Sequence, residues 1–369
     1  MCGAATFTWQ LGHVTGHREV VALHPADQTG PYPSEVHHRI RRDERSDYAR
    51  VARSLGSCVD AVSIHFEEGI WGGDDGDAVL DFVRALDVPA LVTLRSIAAL
   101  PTEHQRATLH ELIACAQATV VMSRSASALL AAAYGIEEEL PTVIPHGVPQ
   151  VPLVDPQTIK PALGLTGREV ILSFGFMDPS KGYELAIDAL PAVVDEHPSV
   201  LYAIVGATSP GAKQPACDAY RESLVSRVRD LGLVEHVRFV DSFVGHGELT
   251  RWLEAADVCA SPYTDAWPTV SGPLAYAMGA GRAIVSTAYP YARELLADER
   301  GVVMPERSTE GFAAALNRLL GDDDARREYG RLAYEYSRPM VWSEVGAAYE
   351  RLSARIVSEA RHPKAVRVA

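Results

Sequence analysis

Residues 267–287 read WPTVSGPLAYAMGAGRAIVST, and this run decides how the chain is read. Small residues stand at Ser271-Gly272, where a helix would start. Gly-Ala-Gly stands near where it would stop, and AIVST then reads as a buried strand. A helix start of this kind offers backbone N–H groups and the positive end of the helix dipole, which suits an anion. The only charge in the run is Arg282, and no acidic residue is present to orient a partner at the helix start.

The same alternation extends outward in both directions. EVVALH, VDAVSIH, PALVTL, ATVVMS and TVIPHG read as strands on one side, with helical periods such as DAVLDFVRAL and TLHELIACAQ between them. EVILSFG, VLYAIVG, HVRFVD, DVCASP, AIVST and GVVMP follow on the other. Buried apolar strands alternating with helices predict parallel sheets covered on both faces. Between the two sets lies PHGVPQVPLVDPQTIKPALG, with prolines at Pro145, Pro149, Pro152, Pro156 and Pro161. That proline density predicts an extended linker, neither helix nor strand. The expected organisation is a domain over 1–150, a second over 151–341, and a long helix over 342–369 that can cross back to the first.

The length of 369 residues suits two domains. With 47% hydrophobic and 22% charged residues, the composition is globular. A net charge of −14 argues against nucleic acid as a partner, so an anion must be held by a local site. Five scattered cysteines without a CxxC predict reduced thiols in a cytoplasmic protein. No apolar run reaches the length of a transmembrane segment.

Ligands of such sheets sit beyond the carboxyl ends of the strands. EVILSFG is followed by FMDPSKGYE, which puts Lys181 and Gly182 where a loop turns into a helix. A lysine and a helix start on one sheet edge suit a diphosphate. Alone, Lys181 reads equally as a solvated lysine and Ser271 as an ordinary N-cap.

FGFMDPSKGYE, TVSGPLAYAMGAGRAIVST and VIPHGVP together resemble the retaining glycosyltransferases of family 4, whose fold is GT-B: α/β, two Rossmann-like doubly wound domains with parallel sheets facing across a cleft. CGAATFT, EEGIWGGDDG and VVMSRSA resemble one bacterial subgroup of that family. The resemblance implies transfer of a sugar from a GDP- or UDP-sugar to a small-molecule acceptor with retention. It implies no metal and no cofactor beyond the nucleotide-sugar. The second domain would bind the donor through Gly175, Phe176, Lys181, Gly206, Val240, Ser271, Gly272, Pro273, Leu274 and Tyr276. Lys181 would meet the diphosphate, and the loops after VLYAIVG and HVRFVD would hold base and ribose. The acceptor would meet Gly3, Thr6, His65 and Glu67. Catalysis would fall to Lys181, Arg95 and Glu67.

The departures are specific. The wider family has two glutamates eight positions apart across the helix start, where this chain has Pro268 and Tyr276. Its arginine beside the lysine motif is Phe176 here, and its histidine after the next strand of the first domain is Arg95. Arg95 reads either as a replacement cation reaching across the cleft to the diphosphate or as a salt-bridged strand-end arginine. His65 and Glu67 either share acceptor binding and proton transfer, or His65 satisfies a backbone carbonyl. CGAATFT would be a glycine turn close to the ligands, although no strand precedes it. Asp74, Asp75 and Asp77 are expected to cap the next helix, as are the acids of GDDDA at 321, and Glu35, His37 and His38 to lie in a solvated loop. Two other functions stay open: a sugar-nucleotide-binding protein without catalysis, and a glycosyl phosphorylase. An Ala- and Arg-rich composition points to a GC-rich bacterial genome. For a glycosyltransferase of such a genome the resemblance leaves the acceptor open between a secondary metabolite (antibiotics among them), a small thiol, and a cell-wall or glycolipid component. The oligomeric state is undetermined.

Overall fold

The computed structural model describes residues 3–16, 19–26, 31–208, 214–264 and 269–362. In chain order the first part carries α1 (Gly3–Thr15), β1 (Val20–His24), β2 (Val36–Arg41), α2 (Arg45–Leu55), β3 (Val62–Phe66), α3 (Val79–Val83), β4 (Ala90–Leu94), α4 (Glu103–Cys115), β5 (Ala118–Val121), α5 (Arg124–Tyr134) and β6 (Thr142–Val143). The second part carries α6 (Pro156–Ile159), β7 (Glu169–Phe174), α7 (Tyr183–Glu196), β8 (Val200–Val205), α8 (Gln214–Asp230), β9 (Val237–Val240), α9 (His246–Ala255), β10 (Val258–Ser261), α10 (Gly272–Gly279), β11 (Ala283–Thr287), α11 (Pro290–Leu295), β12 (Val302–Met304), α12 (Thr309–Gly321) and α13 (Asp323–Tyr336). The last helix is α14 (Trp342–Arg361). Two compact units result: Met1–Pro145 with Trp342–Ala369, and His146–Val341.

The second unit is one six-stranded parallel sheet in the order β12-β11-β10-β7-β8-β9. The strands β8, β10 and β11 are buried at every residue, so hydrophobic runs without alternation are what the sheet requires. Its core joins Ile171, Tyr202 and Val285 of the sheet to Leu190 and Leu316 of the covering helices. Chain order reverses between β7 and β10. Strands β8 and β9 run outward on one side, β11 and β12 on the other, and the loops after β7 and β10 become neighbours.

The first unit holds a four-stranded parallel sheet, β3-β4-β5-β6, and a separate parallel pair, β1-β2. One core spans both, with Ile40 from β2 beside Ile64 and Phe66 from β3. Helix α14 belongs to this unit: Trp342 meets the Phe7 ring edge-on at 5.1 Å, and the Tyr349 hydroxyl lies 3.0 Å from Thr93 Oγ1.

Four local expectations are corrected. CGAATFT is no glycine turn: Gly3 and Thr6 stand on α1, whose Phe7, Gln10 and Leu11 turn inward at helical spacing. Residues 36–41 form β2, because Val20 N–H donates to Glu35 O and the pair runs on in parallel register. The polar residues His37 and Arg39 occupy the exposed positions of an alternating strand, which hid its period of two. The proline-rich linker turns helical at Pro156, where Asp155 accepts from Gln157 N–H and the proline takes the first helical position. Asp74, Asp75 and Asp77 make no side-chain cap to α3. Asp77 instead accepts from Arg45 at 2.9 Å, and Asp75 lies 3.1 Å from His104 Nδ1. In GDDDA, Asp322 does cap α13, through Ala325 N–H.

Candidate functional site

The reversal between β7 and β10 is where a parallel sheet of this kind opens a crevice beyond its strand ends. Lys181 follows β7 there, at the end of a single turn, Pro179–Lys181, in which Asp178 accepts from Ser180 N–H. Gly182 then enters α7 at φ +64°. A Cβ at Gly182 would run into the Pro262 carbonyl of the facing loop, so glycine is required by both angle and space. The facing loop is tied down in turn: Thr264 N–H donates to Ser180 O at 3.0 Å.

The Lys181 ammonium donates to the Tyr263 hydroxyl at 3.0 Å and lies 4.3 Å from the centre of that ring. Tyr263 Oη is 3.0 Å from Ser271 Oγ, the N-cap of α10. The lysine and the helix start, which the sequence placed on one sheet edge, are thus joined through one phenol. Among the described residues the Lys181 nitrogen makes no ion pair, and its partner is the Tyr263 hydroxyl.

The expected row of phosphate-binding amides from Ser271 to Leu274 is shorter than it reads. Pro273 has no N–H, and Leu274 N–H donates to Ser271 Oγ at 3.2 Å. Ser271 and Gly272 amides remain, with the dipole of the eight-residue α10 behind them. Gly175 and Gly206 end β7 and β8 side by side. A Cβ at Gly206, φ +151°, would strike the Gly175 carbonyl, so this pair serves close backbone passage. Phe176 is half-buried between Gly175 and the buried Met177, and Val240, at the end of β9, accepts from Gly206 N–H at 2.9 Å.

Tyr276 faces no open solvent. It is 5% exposed, and three rings surround it: His146 at 5.9 Å, His246 at 6.3 Å and Phe174 at 6.4 Å. Burial lowers the pKa of His246. The His146 ring also lies against Gly272, where a Cβ would meet Nε2 at 3.2 Å. Pro268 lies outside the described residues, as does most of the loop after β8. Arg282 answers no ligand: its guanidinium donates to the carbonyls of Ala280, Glu254, Ala256 and Val154 inside the unit.

In the first unit Arg95 and Glu67 form an ion pair of 3.6 Å at the ends of β4 and β3. The Arg95 guanidinium lies 4.8 Å from the Phe7 ring centre, and its side chain is 8% exposed. His65 meets the same Phe7 ring edge-on at 5.2 Å. Burial pushes the His65 imidazole down to about 3, and the Arg95 charge adds to the shift. That corrects the proton-transfer expectation for His65, because a base working near neutral pH needs a pKa near the operating pH.

Sequence reading missed Tyr263, His146 and His246. The signals were present: Tyr263 stands two residues beyond β10, at a strand end, and His146 sits inside the VIPHGVP motif. His246 carried no mark beyond its place after β9.

This arrangement of lysine loop and helix start falls within one matched region. Residues 168–322 match the glycosyl transferases group 1 family. The group 1 region thus contains β7 to β12 and every second-unit residue named here except His146 and Val154. The phosphatidyl-myo-inositol mannosyltransferase of Mycolicibacterium smegmatis is 30% identical over 210 residues, 57% of this chain and 50% of that one. The chain spans about half the length of the curated relatives it matches. Among solved structures, sucrose-phosphate synthase from Thermosynechococcus elongatus gives a TM-score of 0.76 at 17% identity, covering 96% of this chain and 94% of that one. Anabaena HepE, solved in complex with UDP and glucose, gives 0.74 at 17% identity over 95% and 96%. At such identities the likeness is one of fold, and the fold is GT-B. Among the described residues no helix is long and apolar enough to cross a membrane.

Proposed function

We propose that the chain is a glycosyltransferase that moves a sugar from a nucleotide-diphosphate donor to a small-molecule acceptor with retention of configuration. The observation that carries this reading is the convergence of Lys181 and the α10 start on the sheet reversal, inside the region that matches group 1 glycosyl transferases. The UDP in the HepE complex supports a nucleoside diphosphate as the leaving group. In this reading Lys181 and the Ser271 and Gly272 amides offset the charge that grows on the departing phosphate. An ammonium ~4 Å from a phosphate oxygen gains ~4 kcal/mol at an effective dielectric of ~20, before desolvation. Those groups supply the countercharge without a metal ion. The first unit, with Glu67 and Arg95 at its strand ends, is assigned to the small-molecule acceptor.

The test is release of nucleoside diphosphate from UDP- and GDP-sugars, with and without a strong chelator, in the wild type and in Lys181→Ala. Turnover that persists in chelator and falls at least tenfold in Lys181→Ala supports the reading. Unchanged turnover in Lys181→Ala overturns the role of Lys181. Binding of nucleoside diphosphates with no turnover of any donor and acceptor would instead favour a non-catalytic sugar-nucleotide-binding protein, to which the loss of acid at Tyr276 also points.

A further inference from the structure

We propose that Tyr263 is the positioning residue of the diphosphate site, holding the Lys181 ammonium beside the first turn of α10. The proposal rests on the phosphate-facing reading of Lys181. A lysine carries a compact charge on a four-carbon stem, and holding it in one place requires a partner. A carboxylate would hold it and cancel the charge that a diphosphate needs. A phenol hydroxyl is neutral at ordinary pH, accepts the ammonium hydrogen and leaves the charge whole.

The phenol is itself held rigidly. Tyr263 is 7% exposed and stacks on Tyr289 at 5.2 Å with ring planes 30° apart. Its backbone carbonyl accepts from Thr287 Oγ1 at 2.8 Å, and its chain neighbour Thr264 is bonded to the lysine loop through Ser180 O and Pro179 O. Loop, ring and hydroxyl are therefore fixed from three sides. The hydroxyl bridges Lys181 Nζ and Ser271 Oγ at 3.0 Å each. With Lys181 donating to the phenol oxygen, the Tyr263 hydroxyl can donate its own hydrogen bond to Ser271 Oγ, which also accepts from Leu274 N–H.

Tyr263→Phe removes the hydroxyl and keeps the ring on Tyr289. Calorimetric titration with UDP, GDP, uridine and guanosine is run on the wild type, Tyr263→Phe, Lys181→Met and the double variant. Tyr263→Phe is expected to weaken diphosphate binding about tenfold, the scale of a hydrogen bond to a charged group, and to leave nucleoside binding unchanged. In the Lys181→Met background it is expected to add nothing. Wild-type affinity in Tyr263→Phe, or losses that multiply in the double variant, would overturn the role of Tyr263 while leaving Lys181 in place. A Lys181→Met protein with normal diphosphate affinity would overturn the phosphate-facing reading and this proposal together. A second measurement needs no ligand. Nitrogen NMR of the Lys181 ammonium should show slowed hydrogen exchange in the wild type, and equally fast exchange in wild type and Tyr263→Phe would refute the hold.

Discussion

The buried His65 ties the stability of the first unit to pH. Its imidazole is pushed down to about 3 in the fold, against an ordinary value of 6.5. Below pH 6.5 the unfolded chain takes up a proton at this residue and the folded chain does not. The stability that a neutral His65 contributes is therefore complete above 6.5 and is lost as pH falls from 6.5 towards 3. At pH 5, about 1.5 units below the unfolded value, the loss is about 2 kcal/mol, since each unit is worth about 1.4 kcal/mol. The surroundings explain why the fold refuses the proton. Nδ1 is out of reach of water and has no hydrogen-bond partner among the described residues, Phe7 covers the ring, and the Arg95 cation lies beside it. Urea unfolding at pH 8, 6.5 and 5, in wild type and His65→Gln, isolates this group, because the other titrating residues cancel in the difference. The wild type should lose about 2 kcal/mol more than His65→Gln between pH 8 and pH 5. Parallel pH profiles, or a His65 ring proton titrating near 6.5 by NMR, would refute the reasoning.

Three further outcomes are expected. Arg95→Met should raise the pKa of His65 while leaving it below 6.5, because burial is the larger cause and the arginine charge the smaller; an NMR titration of the His65 ring reads this directly. Lys160→Met should destabilise the second unit by about 3–5 kcal/mol in urea unfolding, since it strands the buried Asp257, whose Oδ2 holds Lys160 Nζ at 2.7 Å and accepts from Val170 N–H. Adding Asp257→Asn to that variant should recover much of the loss, because asparagine keeps an oxygen for Val170 and removes the buried charge. Gly206→Ala should cost on the order of 1–3 kcal/mol in backbone strain alone, and more through its clash with the Gly175 carbonyl, read as a lowered Tm.

Elements with strong local signals were legible in the sequence. Every strand of the second unit falls on a stretch that could be read directly, and β8 and β11, buried at every residue, lie on the apolar runs VLYAIV and AIVST that a parallel sheet covered on both faces asks for. The α10 start was legible from Ser271-Gly272, and the lysine turn from SKG before an amphipathic helix. What escaped was set by contacts distant in sequence. The strand β2 is polar, and only its pairing with β1 makes it a strand. Helix α1 depends on Phe7 packing against residues of the far C-terminus. The short helix after the prolines leads into Lys160, buried by an aspartate 97 positions away. Tyr263 could be seen in the sequence, but its role depends on a lysine that meets it only across the strand reversal.

The placement of β7 beside β10 also sets a time order for folding. Strand β7 leaves the ribosome early in the second unit and pairs with β8 soon after, whereas its other neighbour begins at Val258. Pairings between residues so far apart close large loops and form slowly compared with local ones. Until β10 arrives, one edge of β7 is open, Lys160 has no Asp257, and Lys181 has no Tyr263. A nascent chain halted before Val258 would carry the lysine turn without the phenol that holds it. Affinity for nucleoside diphosphates should therefore appear late and abruptly along the chain, and its appearance would report closure of the central strand pair.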